Sequence, residues 1–140
     1  MGRIVSIDYG TKRVGLAVTD PLQIIATGLD VVHSKDIIEF LKSYNEKNNI
    51  ESFVVGHAKK INNTDSDSMK HIIPFVNKLK KTFPEKKIEM IDERFTSVIA
   101  QKAIIDAGIK KMQRRNKERV DLVSAVLILQ TYLEKRSNLL

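Results

Sequence analysis

Apolar residues recur along this 140-residue chain with two periods, and the changes of period divide it into elements. Positions 13–20 alternate with a period of two, placing Val14, Leu16 and Val18 on one face, which predicts a strand. A short apolar run, Arg3 to Asp8, predicts the strand before it, and the two are joined by the tight turn Tyr9-Gly10-Thr11-Lys12. After Pro21, the stretch Leu22 to Val32 is rich in Ile and Val and reads as a third strand. The period then changes. Ile37, Phe40, Leu41 and Tyr44 recur at helical spacing behind a possible cap at Ser34. Ser52-Phe53-Val54-Val55-Gly56 is a continuous apolar run, as expected of a strand covered on both faces.

The polar segment Lys59 to Asp67 reads as a loop. Met69, Ile72, Ile73, Val76, Leu79 and Phe83 then describe a second helix, which Pro74 either kinks or delays. Lys87 to Asp92 predicts another strand, and Thr96 can cap a third helix that Gly108 ends. Asn116 can cap a last helix running to about Lys135, which is apolar nearly all round and so expected to be mostly buried. The order of three strands, helix, strand, helix, strand, helix, helix implies an α/β fold. Its five-stranded mixed sheet has three antiparallel N-terminal strands and helices on both faces. A purely parallel sheet is disfavoured, because the turn at Tyr9 to Lys12 is too short for a crossover. No repeat or linker interrupts the pattern, and residues 1–140 are expected to form a single domain.

Composition narrows the chemistry. The chain has no cysteine, which excludes disulfides, thiolate nucleophiles and thiolate metal sites. Its apolar runs are far too short to span a membrane, and no leader precedes the first strand, so a cytoplasmic location is expected. Residues 1–70 hold nine Lys/Arg and nine Asp/Glu, whereas residues 71–140 hold fifteen and eight, so the second half carries the whole net charge of +7. Part of that excess lies in the run Lys110 to Arg119, which includes Arg114, Arg115 and Lys117. Such asymmetry suits a polyanionic partner, although a solvated loop would also explain the run itself.

Three acidic positions stand out by context. Asp8 ends the first strand beside a glycine turn carrying a hydroxyl and a lysine, and Asp92-Glu93 ends the last. Asp121 lies on the final helix between Val120 and Leu122, with Ala125 and Ile128 on its own face. Burying an unpaired charge costs several kcal/mol, so such residues usually answer to a cation or a ligand. The alternatives are a helix-dipole interaction for Asp121, and a solvated turn or an ion pair with Arg94 for Asp92 and Glu93. None of the three histidines has metal-ligand spacing, so a bound metal would be held by oxygen, which favours Mg²⁺ or Mn²⁺. Carboxylate-held ions about 4 Å apart beside a basic surface suit phosphodiester hydrolysis.

Taken together, Asp8-Tyr9-Gly10-Thr11-Lys12-Arg13-Val14-Gly15-Leu16-Ala17, Val54-Val55-Gly56, Asp92-Glu93-Arg94-Phe95-Thr96-Ser97, and Lys117 with Val120-Asp121 and Ser124-Ala125 resemble the YqgF/RuvX family. The family comprises Holliday junction resolvase-like, or pre-16S rRNA, nucleases, and the resemblance spans essentially the whole chain. It implies a ribonuclease H-like fold, with Asp8, Glu93 and Asp121 as metal-binding catalytic carboxylates. It also makes Thr11, Lys12 and Arg94 candidates for phosphate contacts. Asp92 is disfavoured as a ligand, since on a continuing strand it would point away from Glu93. The segment His57 to Thr64 departs from the family pattern, being looser and more basic.

The implied function is metal-dependent cleavage that matures the 5′ end of pre-16S ribosomal RNA, in a monomer or homodimer. Three other readings stay open at this stage: a resolvase acting on branched DNA, a non-catalytic nucleic-acid-binding protein, and an ATP-binding module suggested by the Asp-x-Gly-Thr hairpin.

Overall fold

The computed structural model describes residues 2–57, 69–92 and 117–138. Their elements are β1 (Arg3–Tyr9), β2 (Arg13–Thr19), β3 (Ala26–His33), α1 (Ile37–Asn48), β4 (Ile50–His57), α2 (Met69–Thr82), β5 (Lys87–Asp92) and α3 (Lys117–Asn138). The strands form one sheet in the order β3-β2-β1-β4-β5. Strand β1 is antiparallel to β2 and parallel to β4; β2 and β3 are antiparallel, and β4 and β5 parallel. This is the mixed sheet that the order of periods predicts. The third helix expected between Thr96 and Gly108 lies outside the described residues.

Both faces of the sheet are covered. Val5, Ile7, Val14, Leu16, Val18, Phe53 and Val55 form one buried cluster with Ile37 and Leu41 of α1 and Ile72, Phe75, Val76 and Leu79 of α2. On the other face Ile4, Ala17, Val54 and Ile91 pack against Ala125, Ile128 and Leu129 of α3. Strands covered on both sides need no polar face, which explains the unbroken apolar run Phe53-Val54-Val55 in β4. In β2 the alternation is one of size: valine and leucine face α1 and α2, while Gly15 and Ala17 leave room for α3. Gly28 of β3 continues this trough. A Cβ built there would lie 2.8 Å from both Cγ and Cδ2 of Leu122. Helix α3 is less enclosed than its composition suggests. Ala125, Ile128, Leu129 and Thr131 are buried, and the side chains between them are half-buried.

Three local expectations change. The third strand begins at Ala26 rather than Leu22, because Asp20 folds the preceding apolar run into a loop. The backbone amides of Ile24 and Ile25 both donate to Asp20 Oδ1 at 2.8 Å, and that of Gln23 donates to the Asp20 carbonyl at 2.9 Å. Gln23 takes a left-handed φ of 61° and buries its side chain. Its Nε2 donates to the carbonyl of Gly2 and to Glu51, while its Oε1 accepts from Arg136, 113 residues away. Leu22, Ile24 and Ile25 are left exposed. Second, α1 is preceded by Asp36 without a side-chain cap, and Ser34 is used elsewhere. Third, α2 begins at Met69 and runs through Pro74, so the proline does not delay its start.

Candidate active site

The carboxyl ends of the parallel strands β1, β4 and β5 share one edge of the sheet, the position at which open α/β sheets present ligand sites. Asp8 lies there, half-buried. Alternation along β1 places it with Ile4 and Ser6 on the face that α3 covers, while its neighbour Tyr9 faces α1 and α2. Its cross-strand partners are Gly15 on β2 and Gly56 on β4, and Gly56 in turn pairs with Ile91. The positions directly opposite the carboxylate on both neighbouring strands therefore carry no side chain. Both glycines are visible in the sequence, but only the strand pairing shows what they flank.

A buried hydroxyl fixes α3 against β1. Ser6 Oγ donates to the carbonyl of Ala125 at 2.6 Å. Gln23 bonds both the carbonyl of Gly2 and Arg136, so the start of β1 lies near the end of α3, and strand and helix run in opposite senses across this contact. From Ser6 to Asp8 the strand advances about 6.6 Å, and from Ala125 back to position 121 the helix advances about 6 Å. Positions 8 and 121 are thus carried to the same end of the molecule by two rigid elements. The Ser6 hydroxyl that joins the two elements is not singled out by the sequence pattern.

The turn beyond Asp8 is held in place. A Cβ on Gly10 would lie 2.6 Å from the carbonyl oxygen of Arg13, so the turn requires glycine. Ser34 Oγ donates to the carbonyl of Thr11 at 2.6 Å, and the Ser34 amide to that of Lys12 at 3.1 Å. These bonds take the serine from the expected helix cap and use it to tie β1–β2 to the start of α1. Thr11, Lys12 and Arg13 are exposed on the rim.

The other expected site residues divide between described and undescribed positions. Lys117 is the first residue of α3, Asp121 lies in its second turn, and Asp92 ends β5. Glu93, Arg94, Arg114 and Arg115 lie outside the described residues, as does the atypical segment after His57. Among the described residues, no three acidic or histidine side chains gather into a metal-binding group. His33 Nδ1 accepts from the Lys35 amide at 3.1 Å, and His71 is exposed on α2.

Comparisons with known proteins agree with this architecture. A family model described as RuvX, Holliday junction resolvase, matches residues 2–135. A protein of Phocaeicola vulgatus, named as a proposed pre-16S rRNA nuclease, is 52% identical over 136 residues, covering 97% of this chain and 98% of its own. A protein of Porphyromonas gingivalis with the same name is 52% identical over 134 residues, covering 96% of this chain and 97% of its own. Among solved structures, Thermus thermophilus RuvC in complex with Holliday junction substrate matches with a TM-score of 0.63 at 16% identity, over 98% of this chain and 96% of that one. Fowlpox virus resolvase with Holliday junction DNA gives a TM-score of 0.51 at 17% identity, over 94% of this chain and 99% of that one. At such identities the likeness shows the fold, which is ribonuclease H-like. With a family match from residue 2 to 135 and relatives about half identical along nearly their whole length, the chain belongs to the RuvX family.

Proposed function

We propose that the chain is a metal-dependent nuclease that hydrolyses phosphodiester bonds and matures pre-16S ribosomal RNA. The observation that carries this reading is the setting of Asp8. It is a half-buried carboxylate at the carboxyl edge of the sheet, flanked by two glycines and facing the helix that bears position 121. Membership of the RuvX family and the names of its relatives support the reading. The absence of cysteine and the oxygen donors available favour Mg²⁺ or Mn²⁺, with Asp8, Glu93 and Asp121 as ligands. Bound there, such ions supply positive charge that favours ionisation of an attacking water and stabilises the leaving oxygen.

The chain itself provides the framework. The bond from Ser6 to Ala125 fixes the spacing of β1 and α3, and the turn at Gly10 offers Thr11 and Lys12 to the flanking phosphates. Arg94 is a further phosphate contact, and Arg114, Arg115 and Lys117 extend the positive surface. Among the described residues no helix is long and apolar enough to cross a membrane, and the cytoplasm is the proposed location.

The test compares cleavage of a structured precursor RNA, single-stranded RNA and a four-way DNA junction with Mg²⁺ or Mn²⁺. Asp8→Asn, alone and with Asp121→Asn, should abolish cleavage while leaving RNA affinity nearly unchanged. Surviving activity, or affinity that collapses in parallel, refutes the metal assignment. The family's description favours one second reading, a junction resolvase, and preferential cleavage of the DNA junction would establish it.

A further inference from the structure

The second face of the same sheet edge carries a cleft that the proposed chemistry does not use. Tyr9 follows Asp8 on β1, and its ring stacks on Phe75 of α2 with centroids 4.4 Å apart and planes inclined by 16°. Beside this pair a cavity of about 300 Å³ opens between the start of α1 and the first turns of α2. Lys35 and Ser34 line it from the α1 side, and Lys70, His71 and Lys78 from the α2 side. Lys70, Pro74 and Lys78 recur at intervals of four, so α2 presents its two lysines along one stripe.

The charge is one-sided. Among the described residues no carboxylate lines the cavity, and none forms an ion pair with Lys35, Lys70 or Lys78. The charged groups of the described lining residues are all cations, and the Tyr9 hydroxyl can also donate. Three exposed ammonium groups around one concavity repel one another, and an anion bound among them removes that repulsion. The volume is at the lower end for ligand pockets, enough for a phosphate and its sugar.

The position of the cleft indicates the source of the phosphate. Asp8 and Tyr9 are consecutive residues, with Cα atoms about 3.8 Å apart, yet their side chains lie on opposite faces. Only the rim Gly10 to Lys12 separates them, and Thr11 and Lys12 are exposed along it. We propose that the cleft between α1 and α2 binds a backbone phosphate of the substrate strand outside the cleaved bond. The strand would cross the Thr11–Lys12 rim and be held on both faces of the sheet edge. This inference rests on the nuclease reading for the identity of the strand, but not for the existence of an anion site.

The test measures single-stranded RNA binding against salt concentration in EDTA, so that no divalent ion contributes. The probe variant is Lys35→Gln with Lys70→Gln and Lys78→Gln. The control is Lys47→Gln with Lys80→Gln and Lys81→Gln, which removes the same charge from exposed positions on the same helices but outside the cavity. Each lost phosphate contact lowers the log–log slope by about 0.7, so the cleft variant should lose about two units and the control less than half of one. Single substitutions should each remove about 0.7. Equal losses in both triples, or none in either, overturn the proposal. Cleavage by the wild type with Mg²⁺ or Mn²⁺ is scored separately: its absence on every substrate would refute the nuclease reading and leave the slope result intact.

Discussion

Replacing Gly28 by alanine tests how tightly α3 is laid on the sheet. Gly28 lies in extended strand backbone that alanine also adopts, and glycine in a strand interior costs about 0.5–1 kcal/mol relative to alanine. On backbone grounds alone the substitution stabilises. The new Cβ would, however, sit 2.8 Å from both Cγ and Cδ2 of Leu122, well inside the 3.5–4.0 Å of a normal carbon contact. Because Cγ is the branch point of leucine, rotating the terminal methyls cannot relieve the clash, so Leu122 must change its χ1 rotamer or the helix must shift. Overpacking of this kind costs about 1–3 kcal/mol, so Gly28→Ala should cost about 1 kcal/mol net. In a Leu122→Ala background the clash is gone, and the same substitution should gain about 0.5–1 kcal/mol. The coupling between the two sites is then about 2 kcal/mol, measurable by urea unfolding of the wild type, both single variants and the double variant. If Gly28→Ala stabilises the wild type, or has the same effect in both backgrounds, the reasoning is wrong. Leu122 adjoins position 121, so cleavage measured in parallel should fall in Gly28→Ala.

Other consequences can be checked separately. Gln23→Ala deletes a buried amide joining Gly2, Glu51 and Arg136, and should cost about 2–3 kcal/mol in denaturant unfolding; a loss below 0.5 kcal/mol, the usual range of surface substitutions, would show that the loop is not anchored there. The backbone amides of Ile25 and Ile24 hold the Asp20 carboxyl below its ordinary pKa, so its ionised form favours the folded state. The wild type's advantage in Tm over Asp20→Ala should therefore be full at neutral pH and shrink as acid protonates the carboxyl, below pH about 4. An advantage that is constant with pH would refute that account. Arg114→Ala with Arg115→Ala should lower the salt dependence of RNA binding by about 1.4–1.8 log–log units, and an unchanged slope would return that run to a solvated loop.

What could be read from the sequence follows from the range of the interactions involved. The strands and helices that build the core declare themselves by period, because most apolar positions of β1, β2, β4, α1 and α2 are buried where alternation or helical spacing puts them, the exposed Ile73 of α2 being an exception. The loop from Asp20 to Ile25 misleads, since its isoleucines look like strand residues while its shape depends on Arg136 at the far end of the chain. Ser34 misleads in the same way: its hydroxyl is drawn to the carbonyl of Thr11 in the preceding hairpin. For the site, the place of Asp8 near the end of β1 was legible from its context. The roles of Gly15, Gly56 and Ser6 were not, because each depends on a neighbouring strand or helix remote in sequence.

The Ser6–Ala125 bond also restricts how such a chain can change length. One strand residue, Ile7, separates Ser6 from Asp8, and three helix residues separate position 121 from Ala125. Inserting or deleting one residue in the strand interval would turn position 8 to the opposite face. One residue more or less between 121 and 125 would swing the helix position by about 100° around its axis. Neither error can be repaired by a small adjustment nearby. Both intervals are therefore expected to tolerate substitution but not changes in length, leaving insertions and deletions to the connections between elements.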